Sequence, residues 1–135
     1  MVRRATLTAP TRVLAAVFLT VVALGTTACA TDKRPPDPDA VAAGATLYEQ
    51  SCASCHGSDL RGTDKGPPHL SEVYASDHHS DDSFRSAITN GAPSHHWDFG
   101  DMPPVPSLSD EDITSILAFV RQQQATQELE AYPPG

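Results

Sequence analysis

Basic residues are scarce in this chain of 135 residues: nine lysines and arginines stand against 17 acids, a net charge of -8 with the histidines neutral. All the acids follow Cys29, whereas Arg3, Arg4 and Arg12 precede it, so the part after Cys29 is more acidic still. That balance excludes the phosphate-neutralising surface a nucleic acid requires, and adhesion to anionic lipid by charge alone. It favours a protein partner that presents a basic docking patch. Aromatic residues make up only 6% of the chain, too few for large side chains to build the core of a small domain alone; such domains need a staple. No apolar run reaches the roughly 20 residues of a membrane span. The longest, Val13 to Gly25, is interrupted only by Thr20. No segment alternates as a strand does, and no internal repeat is present. Cysteine is both rare and odd in number, with Cys29, Cys52 and Cys55, so one thiol is left over from any pairing within the chain.

The apolar run follows a basic start, which is the pattern of an export signal. Thr26-Thr27-Ala28-Cys29 then resembles the lipobox of bacterial lipoproteins, in which the cysteine is lipidated and becomes the new N-terminus. The match departs from the family at Thr26, where leucine is preferred; Leu24 lies two residues further back. Lipidation accounts for the odd cysteine; cleavage nearby, after Ala30 for example, is the competing expectation. We therefore expect a lipoprotein signal over 1–28, a tether over 29–39, a folded domain over 40–124 and a tail over 125–135. The tether carries Pro35, Pro36 and Pro38 and nothing large enough to bury. This organisation places the domain on the extracytoplasmic face of the cell membrane, held by lipid.

Three helices are legible. The first runs from Ala40 to about Cys52, with Asp39 as its cap and Gly44 inside it at a cost of about 1 kcal/mol relative to alanine. The second spans Ser80 to Asn90, stopped by Gly91. The third runs from Ser109 to about Gln123: Ser109 caps, Asp112 stands at the capping-box position, and Ile113, Ile116, Leu117 and Val120 repeat with helical spacing. Arg121 suits the negative end of that helix, and the polar residues from Gln122 on predict a frayed tail. His69 to Ala75 has room for a helical turn. Residues 91–107 have no period and are punctuated by Gly91, Pro93, Gly100, Pro103, Pro104 and Pro106. A loop this long is uncommon unless it does something.

The chemistry-bearing stretch is Cys52-Ala53-Ser54-Cys55-His56. Two cysteines three apart, with histidine next, is the spacing of a c-type haem attachment site. Each thiol adds to one vinyl group of a single haem, and the adjacent imidazole reaches the iron as proximal ligand. The export signal supports this, because such attachment takes place outside the bacterial cytoplasm. A covalently held haem would also be the staple that the thin core needs.

Gly44-x-x-x-Tyr48-x-x-x-Cys52-Ala-Ser-Cys55-His56-Gly57, Gly66-Pro67-Pro68-His69-Leu70, Ala87-Ile88-Thr89-Asn90-Gly91, Met102-Pro103-Pro104 and Leu108 to Val120, in this order, resemble the class I (monohaem) cytochromes c. The resemblance spans Ala40 to about Gln123. It implies a small all-α fold whose first and last helices cross around one covalent haem c, with Gly44 admitting the last helix and Tyr48 and Phe119 packed at the crossing. It implies that His56 and Met102 are the axial iron ligands, and that a proline carbonyl accepts a hydrogen bond from the free ring nitrogen of His56; the doubled proline leaves Pro67 and Pro68 both open for this. A thioether opposite histidine raises the potential and fills the iron, the signature of electron transfer and not of bond chemistry. The expected function is thus an electron carrier rather than an enzyme, working between a redox donor and an acceptor. A haem enzyme or gas sensor with a labile Met102, and an extracytoplasmic copper- or zinc-binding lipoprotein, are the competing classes. Ser94-His95-His96-Trp97-Asp98-Phe99 has no counterpart in the family pattern. His95 or His96 is a rival distal ligand, and the pairs His78-His79 and His95-His96 are the residues a copper or zinc site would use.

Overall fold

The computed structural model describes residues 35–132; the expected export signal and Cys29 lie outside the described residues. Four α-helices and one 3₁₀ turn make up its regular structure: α1 (Pro38–Ser51), α2 (Ala53–His56), the 3₁₀ turn (Glu72–Tyr74), α3 (Asp81–Asn90) and α4 (Asp110–Thr126). Among the described residues there is no strand, only two isolated bridges, Ser71 with Glu130 and Ala92 with Met102.

Helix α1 begins earlier than its sequence suggests. Asp37, not Asp39, is the cap, and its carboxylate accepts the Asp39 N–H at 3.0 Å. The reason is Pro38, which has no N–H to satisfy and a φ already set for the first helical position. At the other end of the domain, Ser109 and Asp112 form the expected capping box: the Asp112 N–H donates to the Ser109 hydroxyl at 3.2 Å, and the Ser109 N–H donates to the Asp112 carboxylate at 2.9 Å.

The two long helices meet at Gly44. A Cβ built there would lie 1.9 Å from the Ser115 carbonyl oxygen and 2.9 Å from the Phe119 Cβ, so only glycine allows this approach. One turn along, the rings of Tyr48 and Phe119 pack with centroids 5.4 Å apart. The stripe Ile113, Ile116, Leu117 and Val120 is buried against Tyr48, Leu60, Leu70, Phe84 and Ile88, and this is the apolar core.

The polar end of α4 is not frayed. The helix runs to Thr126 because Gln124 is anchored in the tertiary structure. Its amide donates to the carbonyls of His69 at 2.8 Å and Tyr74 at 3.0 Å. Beyond it, the Glu130 N–H donates to the Leu70 carbonyl at 2.6 Å, the Glu72 N–H donates to the Glu130 carbonyl at 2.9 Å, and Arg61 pairs with the Glu130 carboxylate at 2.6 Å. Arg121 also departs from its expected role at the helix terminus. Its guanidinium donates to Asp81 at 2.7 Å and to the carbonyls of Tyr74 at 2.7 Å and His79 at 2.6 Å, and it lies over the Phe84 ring. One side chain thereby joins α4, the start of α3 and the segment between the 3₁₀ turn and α3.

Candidate functional site

The chain bends at Cys52, which caps both α1 and α2. The bend lets Cys52, Cys55 and His56 present three reactive side chains on little more than one helical turn. The His56 N–H donates to the Cys52 carbonyl at 2.9 Å and the Cys55 N–H to the same oxygen at 3.1 Å. Both thiols are free and half-buried, not joined in a disulfide. Burial, and after it the neighbouring Cys55, pushes the Cys52 thiol up to about 11.

The loop after the motif folds back under it. Gly62 donates to the His56 carbonyl at 2.8 Å, and the Thr63 hydroxyl donates to the Cys55 carbonyl at 2.6 Å. This return brings the Pro67 carbonyl to 2.9 Å from Nδ1 of His56. Of the two prolines left open by the sequence, Pro67 is therefore the one in contact; Pro68 makes no hydrogen bond to the ring. With Nδ1–H donating there, Nε2 keeps its lone pair, the arrangement in which outer partners set the tautomer of a metal-binding imidazole. Burial lowers the His56 pKa, against the opposing pull of the Pro67 bond, so the ring is neutral near pH 7.

His69, in the same return, also joins the site, though nothing in the sequence assigned it a role there. It is buried, with its ring stacked on His56 at 4.0 Å between centroids and 19° between planes. Its Nδ1 lies 3.1 Å from the Tyr48 hydroxyl. Burial, followed by the nearby His56 and Arg121, holds the His69 pKa well below the ordinary value, and burial keeps the Tyr48 phenol protonated. The only sequence signal for His69 is its position directly after the two prolines.

On the far side, the long loop is organised by Met102. Its N–H donates to the Ala92 carbonyl at 2.8 Å, and the Ala92 N–H donates to the Met102 carbonyl at 3.0 Å. A Cβ on Gly91 would lie 2.7 Å from that same Met102 carbonyl, and Gly91 has a φ of 82°, so its glycine is required twice. The Val105 N–H then donates to the Ile88 carbonyl at 2.8 Å, which fastens the loop to α3. Residues 93–101 form an excursion between the two bridged residues. In it, Trp97 lies parallel to Tyr74 at 5.9 Å and meets Tyr132 at 5.0 Å.

These parts surround an open cleft. Cys52, Cys55 and His56 line one wall, and Met102, Ile88 and Phe84 are also on its lining. His79, His95, His96, Trp97 and Phe99 complete its border. The residues fit a haem: an apolar slot carries two unpaired thiols, an imidazole with a free lone pair and a thioether. None of the buried side-chain nitrogen or oxygen atoms among the described residues lacks a hydrogen-bond partner. The structure also brings the two histidine pairs together, with the rings of His78 and His96 5.3 Å apart and those of His79 and His96 at the same separation. No helix among the described residues is long and apolar enough to cross a membrane.

Known proteins place this architecture. The family model for cytochrome c matches residues 41–124. The chain is 34% identical over 89 residues to the cbb3-type cytochrome c oxidase subunit CcoP of Rubrivivax gelatinosus; the match covers 62% of this chain but 26% of that subunit. Among solved structures it is similar to cytochrome cL of Methylophaga aminisulfidivorans, with 29% identity, a TM-score of 0.52 and coverage of 64% of this chain and 54% of that one. The c-type cytochrome XoxG of Methylobacterium extorquens shares the fold, with 18% identity, a TM-score of 0.52 and coverage of 71% and 57%. The chain thus spans about a quarter to about half of these relatives. With the cleft, the thiol pair and the match over 41–124 together, the chain belongs to the cytochrome c family, with its all-helical fold and haem c as its cofactor.

Proposed function

We propose that Cys52 and Cys55 hold the haem through thioether bonds, that His56 and Met102 ligate its iron, and that the chain carries electrons between two extracytoplasmic redox proteins. The observation that carries the ligand set is the 2.9 Å contact of His56 Nδ1 with the Pro67 carbonyl. It leaves Nε2 free in a cleft that Met102 also lines. When bound, haem supplies a one-electron Fe(II)/Fe(III) couple. The chain's own part is to keep that couple's surroundings fixed. Pro67 orients the His56 ring and raises its basicity. The two Ala92–Met102 hydrogen bonds hold Met102 in place, and Pro103 and Pro104 stiffen the chain on its C-terminal side. Such rigidity means that little rearrangement accompanies a change of charge.

The reading includes a lipid anchor at Cys29, through the tether, on the extracytoplasmic face of the membrane. The acidic surface supports partners with basic docking patches, engaged through a small, transient interface. The oxidase subunit it matches is named as part of a cbb3-type cytochrome c oxidase, which supports a terminal oxidase as one class of partner.

Met102→Ala tests the ligand set. We expect the far-red methionine–iron absorption band of the oxidised holoprotein to vanish and the potential to fall. An unchanged spectrum would transfer the role to another residue, with His95 and His96 the first to examine. Wild-type ferrous protein that binds carbon monoxide without denaturant would favour the gas-sensor or enzyme reading instead.

A further inference from the structure

We propose that His78, His79 and His96 form a second metal site, for a divalent transition ion of the copper and zinc class, beside the haem cleft. One ligand atom from each of the three lies within 4.8 Å of the others. Nε2 of His78 and Nε2 of His96 are 3.4 Å apart. Two imidazoles bound to one tetrahedral ion at 2.0–2.1 Å place their nitrogens about 3.3 Å apart, so this pair already stands at the edge length of such a site. As a hydrogen bond, the same separation is longer than the usual range, and it leaves the third ring unexplained.

His79 has the outer support that metal-bound histidines show. Its Nδ1 donates to the Val73 carbonyl at 2.5 Å, so Nε2 carries the lone pair. His96 is fixed from two directions. The Tyr132 hydroxyl donates to its carbonyl at 2.6 Å, and its ring meets the edges of Trp97 and Tyr132. The site is thus assembled from two segments, the turn before α3 and the excursion of the Met102 loop, with His96 braced by the C-terminal segment. Imidazole donors with no thiolate or carboxylate select copper and zinc over magnesium and calcium. The acidic net charge of the chain draws dications to it. His79 and His96 also border the haem cleft, so a bound ion would tie the two segments together at its mouth.

The test is calorimetric titration of chelator-stripped holoprotein with Zn²⁺ and, separately, Cu²⁺, the copper form being examined by electron paramagnetic resonance. We expect one equivalent of either ion at submicromolar affinity, with nitrogen superhyperfine structure on the copper signal. The double variant H78A/H96A should bind roughly a hundredfold more weakly or worse. His95→Ala should stay within a small factor of wild type; a loss as large as that of the double variant would move the ion elsewhere and overturn the assignment. No stoichiometric binding by wild type, or undiminished binding by the double variant, would also overturn it. Wild-type protein gives a check that needs no variant. Zn²⁺ should shield His78, His79 and His96, but not His95, from diethyl pyrocarbonate, read by peptide mass; equal modification with and without the ion counts against the site.

Discussion

Tyr48 makes three contacts with two other parts of the domain. It packs on Phe119 of α4, its edge faces His69, and its hydroxyl reaches His69 Nδ1 at 3.1 Å. Tyr48→Phe keeps the first two contacts and removes the third. It leaves a buried imidazole nitrogen unpartnered, which costs about 1–3 kcal/mol. We expect chemical denaturation to show that loss with the haem spectrum retained; stability equal to wild type would mean the hydroxyl contributes nothing. At this scale the sequence is readable wherever chemistry is local. Cys52, Cys55 and His56 declare themselves by spacing alone. The choice between Pro67 and Pro68 is not readable, because the acceptor is a backbone carbonyl that every residue possesses. His69 is silent for a related reason: an imidazole can be buried only if a distant hydroxyl and a stacking ring are there to receive it, and Tyr48 lies 21 positions away.

Among the elements, α1 and α4 depend on each other at one point. Gly44→Ala gains about 1 kcal/mol of helix propensity. It also drives a methyl into the Ser115 carbonyl, which lies 1.9 Å from where the new Cβ would stand. Overpacking of this kind costs about 1–3 kcal/mol and sometimes more. With the carbonyl so close, we expect the upper end of that range, a net loss of about 2 kcal/mol, which corresponds to a fall of about 8–16 °C in the melting temperature of a domain this size; a melting temperature at or above wild type would show that the helices separate freely. The cap of α4 adds a pH dependence. Hydrogen bonds from Ser109 hold the Asp112 carboxyl below its ordinary value. Its folded pKa is therefore below its unfolded one, so the cap's stabilisation is complete above about pH 4 and is lost as pH falls through the folded value. Asp112→Asn should flatten that part of the acid limb, and an identical acid profile would assign it to other carboxylates. The cap at Ser109 can be read from sequence because capping there is decided within four residues. The far end of α4 cannot, since Gln124 continues the helix to serve the carbonyls of His69 and Tyr74. His95 and His96 lie in the excursion that the Ala92–Met102 bridge closes, and their meeting with His78 and His79 is one that no local pattern announces.

For the whole molecule, charge and the proposed anchor bear on how it meets others. Partner association should slow as ionic strength rises, since an acidic surface steers a basic partner from a distance and salt shortens that reach. An association rate indifferent to salt would leave the acidity a role in solubility alone. Cys29→Ala is expected to release the protein from the membrane fraction, as followed by its haem absorption; persistent membrane association would point to an uncleaved N-terminal helix. The crossing at Gly44 has a further consequence, in time. It joins a residue near the start of the domain to Ser115 near its end, so nothing that precedes α4 can close the fold. During synthesis the thiols of Cys52 and Cys55 emerge well before the helix that completes the core. Until that helix arrives they remain on an open chain, where a cysteine keeps its ordinary reactivity; once it docks, burial raises the Cys52 thiol to about 11 and little thiolate remains. For Cys52, then, the order of residues along the chain favours covalent chemistry before α4 docks.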